Sequence, residues 1–209
     1  MLNVWTVLWG DKYEDSYAYR LQEALARNLR FPHEFRVVTE KPLTGLSTVD
    51  PPCDFPGWWQ KVGLFKPGFA PGLNVFLDLD VVVVGSLDGL IADHAWSQLS
   101  MPANFPKSGH GGWQSSMMIW SGTASEIIYS EFLPKYMRLF HGDQEWISEI
   151  AAPIIKTIPV GQVVSYKYDC LDGVPESAKV VCFHGKPDPH EVDVAWVREN
   201  WRRESVNST

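Results

Sequence analysis

Cysteine and positive charge are both scarce in this sequence of 209 residues. Its three cysteines, Cys53, Cys170 and Cys182, are odd in number and lack CxxC spacing. The sequence therefore predicts neither a disulfide framework nor a zinc site, and it favours a reducing, cytoplasmic location. Lysine and arginine total 18 against 25 acidic residues, a net charge of -7. This balance argues against a broad nucleic-acid surface, which would need clustered positive charge.

Long apolar runs are absent as well. The stretch MLNVWTVLWGDKY lacks a basic start and is interrupted by Asp11, so we expect neither a signal sequence nor a transmembrane segment. The length is typical of a single domain covering 1–209. Tryptophan, in contrast, is abundant: ten residues favour either a tryptophan-rich core or stacking on sugars or bases.

The apolar pattern predicts alternating strands and helices. Residues 4–9 and 34–39 have the pattern of buried strands, and residues 16–29 between them carry apolar side chains at helical spacing. Such a β-α-β unit indicates an α/β fold with a mainly parallel sheet, whose sites lie at the carboxyl ends of strands. Further predictions are a loop over 41–57, helices in WWQKVGLFKPG, SEIIYSEFLPKYMRLF and QEWISEIAAPI, and strands in NVFLDLDVVVV, WQSSMMIWSG, TIPV, QVVSY and KVVCFH.

Two carboxylates interrupt the apolar run NVFLDLDVVVV. On a regular strand Asp78 and Asp80 would point to the same face and could share one cation. Their hard oxygen atoms favour Mg²⁺ or Mn²⁺ over zinc. The alternative is a pair of acids at a strand end that face solvent or cap the next turn.

Five segments, in their order along the chain, resemble the GT-A glycosyltransferases. They are LWGDKY, WWQKVGLFKP, FLDLDVVVVGSLD, WQSSMMIW with HGDQEWIS, and CFHGKP. The resemblance is strongest to the family 8-like group of glycogenin-type and lipopolysaccharide galactosyltransferase-type enzymes. It implies a GT-A (Rossmann-like) mixed, mainly parallel sheet flanked by helices. It further implies a nucleotide-binding half over about 1–88, an acceptor and sugar half over about 89–190, and a C-terminal tail over 191–209.

The resemblance also implies roles for individual residues. Asp78 and Asp80 would contact the metal, Asp78 would also contact the donor diphosphate, and His184 would complete the metal site. The other implied donor contacts are Trp9, Gly10, Asp11, Tyr13, Lys61, Gly185 and Lys186, with Trp58 and Trp59 beside them. The family usually spaces its His, Gly and Lys more widely and follows them with Pro-Trp, whereas here they are consecutive and Pro187-Asp188 follows.

The residues implied near the transferred sugar lie in two segments. Gln114 takes the place of the family's Asn, while Asp143 and Gln144 match its Asp-Gln pair. Asp143 is alternatively, or in addition, the N-cap of a helix. Lys186 would assist the departing diphosphate. The stretch 110–112 (HGG) is either an ordinary glycine loop or a lid over the donor.

The implied activity is metal-dependent transfer of a hexose from a UDP-sugar to a hydroxyl acceptor with retention, using Mn²⁺ or Mg²⁺. A nucleotide-sugar hydrolase, a nucleotidyltransferase and a non-catalytic binding module stay open as alternatives, although a nucleotidyltransferase would need a glycine-rich loop after the first strand. The acceptor could be a saccharide, protein, lipid or modified base. The end DVAWVRENWRRESVNST predicts a short packed helix or weak surface association.

Overall fold

The computed structural model describes residues 1–105 and 112–201. Its strands are β1 (Leu2–Leu8), β2 (His33–Thr39), β3 (Ser47–Val49), β4 (Leu73–Leu77), β5 (Val81–Val83), β6 (Leu99–Pro102), β7 (Met117–Ser121), β8 (Ile155–Ile158), β9 (Val163–Ser165) and β10 (Val180–Cys182). Its α-helices are α1 (Ser16–Asn28), α2 (Gln60–Gly63), α3 (Asp88–His94), α4 (Ile127–Ser130), α5 (Asp143–Ala151), α6 (Tyr166–Asp169) and α7 (Ala195–Asn200). Short 3₁₀ helices cover Gly57–Trp59, Ala124–Glu126, Pro134–Arg138, Ala152–Ile154 and Pro189–Glu191.

A seven-stranded mixed sheet forms the centre, in the order β3-β2-β1-β4-β7-β6-β8. Strands β3, β2, β1 and β4 are parallel, β7 is antiparallel to β4 and β6, and β8 is parallel to β6. The predicted β-α-β unit is confirmed as β1-α1-β2. The predicted α/β class with a mainly parallel, helix-flanked sheet is therefore confirmed.

Alternation along the central strands builds a core on each face of this sheet. Val4 and Leu8 of β1 pack in one buried cluster with Leu21 and Leu25 of α1, whereas Trp5 packs in a second cluster that includes residues of α2, α4 and α5. Successive strand residues point to opposite faces, so a strand that is apolar throughout is buried on both. Each such side chain contributes about 1.5–3 kcal/mol on burial.

A smaller sheet, in the order β5-β10-β9, packs into the first of these clusters. Strand β5 pairs antiparallel with β10, which pairs parallel with β9. Both sheets take strands from before and after residue 88, the boundary predicted between the two halves.

The strand predicted through NVFLDLDVVVV is wrong in one respect that matters for the site. Strand β4 ends at Leu77, Asp78 leads into a turn at Leu79 and Asp80, and β5 starts at Val81 in the other sheet. Asp78 and Asp80 are therefore brought together by a turn rather than by strand alternation. The loop predicted over 41–57 contains strand β3, and helices α3 and α6 and strand β6 were not predicted.

The predicted C-terminal helix is present as α7, with Val197 and Trp201 buried. Positions 110 and 111 of the predicted HGG loop and the tail from 202 onward lie outside the described residues. Within the described ranges, no helix has the length and apolar character needed to cross a membrane.

Candidate active site

Four chain segments meet at the carboxyl end of the parallel strands. They are residues 9–13 after β1, residues 78–80 after β4, residues 114–116 before the antiparallel strand β7, and residues 184–185 after β10. Backbone hydrogen bonds join them: Asp78 N–H donates to the Ser116 carbonyl at 2.9 Å, and Phe183 N–H donates to the Asp80 carbonyl at 3.1 Å. This edge is where open α/β sheets bind ligands.

A cavity of about 470 Å³ opens among these segments. Its size falls in the range of small-molecule and cofactor sites. The lining residues are Val7, Trp9, Asp11, Lys12, Tyr13, Gly57, Trp58, Lys61, Asp78, Asp80, Gln114, Ser115, Ser116, Asp143, Gln144, His184 and Gly185.

A buried ion network forms the floor of the cavity. The Lys61 Nζ atom lies 2.9 Å from Asp78 Oδ1 and 3.4 Å from Asp143 Oδ2. Ser115 Oγ donates to Asp143 Oδ2 at 2.7 Å, and Lys61 Nζ donates to Ser115 Oγ at 3.3 Å. The Lys61 and Asp143 side chains are 8% and 6% exposed. Each can therefore stay charged in this buried position only because an opposite charge lies beside it.

Charge in this network is unbalanced towards the negative. Burial alone would lower the pKa of Lys61, but Asp143 and Asp78 outweigh burial and raise it, so Lys61 is an ammonium. One ammonium thus faces Asp78, Asp143 and the nearby Asp80. Burial, followed by repulsion from Asp78, raises the pKa of Asp80 to about 6.

Asp80 has one described side-chain hydrogen bond. The Tyr13 hydroxyl, on the loop after β1, donates to Asp80 Oδ2 at 2.7 Å. Burial and the charge of Asp80 raise the pKa of Tyr13, so Tyr13 keeps its proton and stays a donor. The Tyr13 ring packs against Tyr17 of α1 with centroids 4.8 Å apart. A residue predicted to meet the nucleotide therefore contacts a predicted metal ligand.

His184 lies at the end of β10 and is held from two sides. Its Nε2 atom is 2.6 Å from Ser165 Oγ, and its ring stacks on Phe105 with centroids 4.9 Å apart. Burial and the Lys167 ammonium lower the pKa of His184, which favours the neutral imidazole that binds metals. With Nε2 engaged by Ser165, Nδ1 is the nitrogen left to act as a ligand.

The three predicted metal ligands line one cavity but are not a closed cluster. Among the described residues, the one group of three or more His, Cys, Asp or Glu side chains with all ligand atoms within 4.8 Å is Asp188, His190 and Glu191. Ligands about 2.1 Å from a Mg²⁺ ion can be no more than about 4.2 Å apart. Asp78, Asp80 and His184 could therefore bind one ion together only after a rearrangement of their side chains.

Lys186 is not brought into the cavity. Its side chain is 71% exposed, and its Nζ atom lies 2.7 Å from Asp188 Oδ2 and 2.9 Å from Glu191 Oε1. The role of Lys186 at the diphosphate stays a prediction. The same ion pairs supply the positive charge at the group of Asp188, His190 and Glu191, so we assign no metal there.

Gly185, the residue before Lys186, does line the cavity. It has φ +69°, a left-handed conformation that glycine adopts without strain. The backbone can therefore turn sharply after His184.

The loop after β1 contributes several predicted residues. Trp9, Asp11 and Tyr13 line the cavity. Gly10 does not, and its N–H donates to Glu40 Oε2 at 3.2 Å. Lys12, which the sequence did not single out, lines the cavity within the same loop; its position between two predicted site residues was the available signal.

The residues predicted to face the sugar come from two further segments that line the cavity, one before β7 and one at the start of α5. Gln114, Asp143 and Gln144 all line the cavity. Gly142 is the N-cap of α5, and Asp143 is its first helical residue. The N-cap interpretation of Asp143 is thus wrong by one residue, and its carboxylate turns to Lys61 and Ser115 instead. Ser115 went unnoticed because a serine beside a strand gives no signal of its own.

No protein-family model and no curated protein sequence matches the chain. Solved structures do match it. The galactosyltransferase LgtC, determined with donor and acceptor sugar analogs, has a TM-score of 0.63 and 13% identity over 90% of this chain and 88% of its own. The bifunctional glycosyltransferase WbbM has a TM-score of 0.67 and 12% identity, covering 96% of this chain and 49% of its own.

The glycosyltransferase GlyE from Streptococcus pneumoniae TIGR4 has a TM-score of 0.68 and 14% identity, over 95% of this chain and 58% of its own. The chain thus spans about half of WbbM and less than two thirds of GlyE, but most of LgtC. These similarities confirm the predicted GT-A fold. At such identities they show the fold alone, and the chemistry must be argued from the site.

Proposed function

We propose that this protein is a metal-dependent glycosyltransferase that transfers a hexose from a UDP-sugar to a hydroxyl acceptor with retention of configuration. One observation carries the proposal. Three carboxylates, Asp78, Asp80 and Asp143, line one cavity with a single buried ammonium, Lys61, in a fold shared with glycosyltransferases. Such an excess of buried and partly buried negative charge favours a cation as partner.

The donor set fits Mn²⁺ or Mg²⁺. These ions commonly bind through one or two carboxylates and complete their coordination with water and substrate phosphates. Asp78 and Asp80 would hold the ion, and His184 would join through Nδ1. When bound, the ion supplies positive charge against the diphosphate, which stabilises UDP as it departs.

The chain's own residues position the two ends of the donor. The base and ribose lie against the loop after β1, where Asp11 accepts hydrogen bonds and Tyr13 offers a ring face. Lys12 and Lys61 are the ammonium groups that line the cavity. Lys12, which is exposed, replaces Lys186 in this proposal, because Lys186 would first have to leave Asp188 and Glu191. Lys61 stays paired with Asp78 and Asp143 and adds its positive charge from the cavity floor.

At the sugar end, Gln114, Asp143 and Gln144 hold the hexose hydroxyls. Asp143 Oδ2 already accepts from Ser115 and lies 3.4 Å from Lys61. A carboxylate stabilised in this way is a weak nucleophile. We therefore assign Asp143 to positioning and infer that the acceptor oxygen bonds to the anomeric carbon from the face that UDP leaves, which retains the configuration. The bond from the anomeric carbon to UDP breaks in this step, and the hydroxyl proton passes to the departing phosphate oxygen.

The test is product analysis by mass spectrometry after incubation with UDP-glucose or UDP-galactose and Mn²⁺, with and without a mixture of saccharide acceptors. Transfer requires a product whose mass exceeds that of the acceptor by one hexose. Free hexose without such a product would indicate a nucleotide-sugar hydrolase. Donor binding with no turnover under any condition would indicate a binding module, and either result would contradict transfer.

A further inference from the structure

Trp58 has an unusual position among the tryptophans. It lines the cavity and yet is 53% exposed. Trp96 is the other strongly exposed tryptophan of the described chain, at 94%, but it does not line the cavity. Neighbouring Trp59 is buried in the core and packs on Phe132. The chain thus buries one member of the pair and presents the other.

The contacts of Trp58 leave most of its indole free. A Cβ atom added to Gly142 would lie 3.3 Å from Trp58 Nε1 and 3.7 Å from Cδ1, so the five-membered ring rests against Gly142. Within the described ranges, the indole N–H has no hydrogen-bond acceptor, and its rings have no aromatic neighbour. Among the described tryptophans, the N–H groups of Trp5, Trp113 and Trp146 have acceptors, so Trp58 is distinguished by the combination of a free, exposed indole and a place in the cavity lining.

This location places the indole at the sugar end of the cavity. Gly142 directly precedes Asp143 and Gln144, the residues that we assign to the transferred hexose. The base and ribose are assigned to the loop after β1, which is a different lining segment. An exposed indole with a free N–H suits a ligand that has an apolar ring face and polar hydroxyls.

We propose that Trp58 is a stacking platform for the acceptor and that the acceptor is a saccharide. The inference rests on the proposed function, because it identifies the acceptor of that reaction. A pyranose presents C–H groups on one face and hydroxyls at its edge, so it can stack on the indole while a hydroxyl turns towards the hexose near Asp143. A protein or lipid acceptor would not need this pairing of ring face and N–H.

The test is binding to an array of oligosaccharides, in the presence and absence of UDP and Mn²⁺. The proteins are wild type, Trp58→Ala, Trp58→Phe and the matched control Trp96→Ala. Calorimetric titration of UDP with Mn²⁺ accompanies each variant. We expect the wild type and Trp96→Ala to retain the same glycans. Trp58→Ala should bind them about five- to ten-fold more weakly, and Trp58→Phe, which keeps a ring face, should be intermediate. UDP affinity should be unchanged throughout.

The inference is overturned if the UDP-loaded wild type retains no glycan, or if Trp58→Ala retains glycans as well as the wild type. It is also overturned if Trp58→Ala loses UDP and glycans equally, since Trp58 would then stack on the base. Failure of the proposed function has a different signature. A wild type that binds glycans through Trp58 but binds no UDP would contradict the nucleotide-sugar donor and leave the saccharide platform standing.

Discussion

At the scale of single residues, Lys61 is the charge on which the site depends. It is one buried ammonium shared by Asp78 and Asp143, and its removal would leave the buried Asp143 and the partly buried Asp78 without a cation. Breaking a buried pair from one side typically costs far more than the pair contributes, because the remaining charge keeps its desolvation penalty. Lys61 is therefore a structural requirement of the site as well as a candidate ligand contact.

We predict that Lys61→Met lowers the free energy of unfolding by about 3 kcal/mol. The measurement is urea denaturation followed by circular dichroism, with Lys66→Met as the matched control, because Lys66 is exposed and lies outside the cavity lining. Adding Asp143→Asn to Lys61→Met should recover part of the loss. A loss no larger than that of the control would contradict the buried network.

The Tyr13 hydroxyl leads to a prediction about Asp80 in the metal-free protein. Its hydrogen bond favours the ionised form of Asp80 and so holds down a pKa that burial and Asp78 raise to about 6. Tyr13→Phe should therefore raise the pKa of Asp80 further. Carboxyl ¹³C NMR titration measures it directly. The control is Tyr19→Phe, because the Tyr19 hydroxyl donates to the Thr44 carbonyl instead. An unchanged Asp80 pKa in Tyr13→Phe would contradict the prediction.

Single residues show what the sequence could signal. Asp78 and Asp80 were singled out because carboxylates in an apolar run need a chemical explanation, and Asp143 was singled out by the resemblance of HGDQEW. The structure places all three at one cavity, while their roles stay predictions. Lys186 could not be placed from the sequence. Asp188 and Glu191 follow it closely along the chain and can pair with its ammonium group as readily as a bound diphosphate could, and nothing in the sequence decides between these partners. Where a lysine has several acidic neighbours, only the three-dimensional structure shows which of them it pairs with.

At the scale of secondary structure, helix α3 is joined to the sheet through a buried histidine. His94 is 2% exposed, and its Nδ1 atom lies 2.8 Å from Ser100 Oγ of β6. Burial and the Lys156 ammonium outweigh Asp93 and lower the pKa of His94 below its ordinary value of 6.5. The folded state therefore resists protonation that the unfolded chain accepts.

The sign of the pH dependence follows. The contribution of neutral His94 to stability is complete above pH 6.5 and is lost as the pH falls from there through the folded-state pKa, because only the unfolded chain takes up a proton. Urea denaturation of the metal-free protein between pH 8 and pH 5 should show a steeper fall for the wild type than for His94→Gln, by at most about 1.4 kcal/mol per pH unit. Parallel curves would contradict the assignment.

The prediction of helices and strands succeeded where the apolar residues follow a single periodicity. Helix α1 was predicted within one residue because its apolar side chains keep helical spacing until Asn28. The division of NVFLDLDVVVV into β4 and β5 could not be predicted, because both strands are buried on both faces and Asp78 and Asp80 are equally compatible with one strand that points both carboxylates to the same face. Only the different pairing partners, β7 for β4 and β10 for β5, separate them.

At the scale of the whole molecule, the site exists because distant segments pair. Strand β10 delivers His184 beside the turn of Asp78 and Asp80, and the Phe183 N–H bond to the Asp80 carbonyl holds it there. No periodicity in the sequence encodes that pairing. The order of the five recognised segments predicted it through the GT-A fold, since a fold fixes which segments meet even when sequence identity is low.

The measurement that tests the account most directly is calorimetric titration of UDP with and without Mn²⁺, on the wild type, Asp80→Ala and the control Asp172→Ala. Asp172 is an exposed aspartate outside the cavity lining. We predict Mn²⁺-dependent binding of UDP to the wild type and to Asp172→Ala, and affinity reduced by more than about ten-fold in Asp80→Ala. A UDP affinity that changes neither with Mn²⁺ nor in Asp80→Ala, or no binding of UDP at all, would contradict the nucleotide-sugar site.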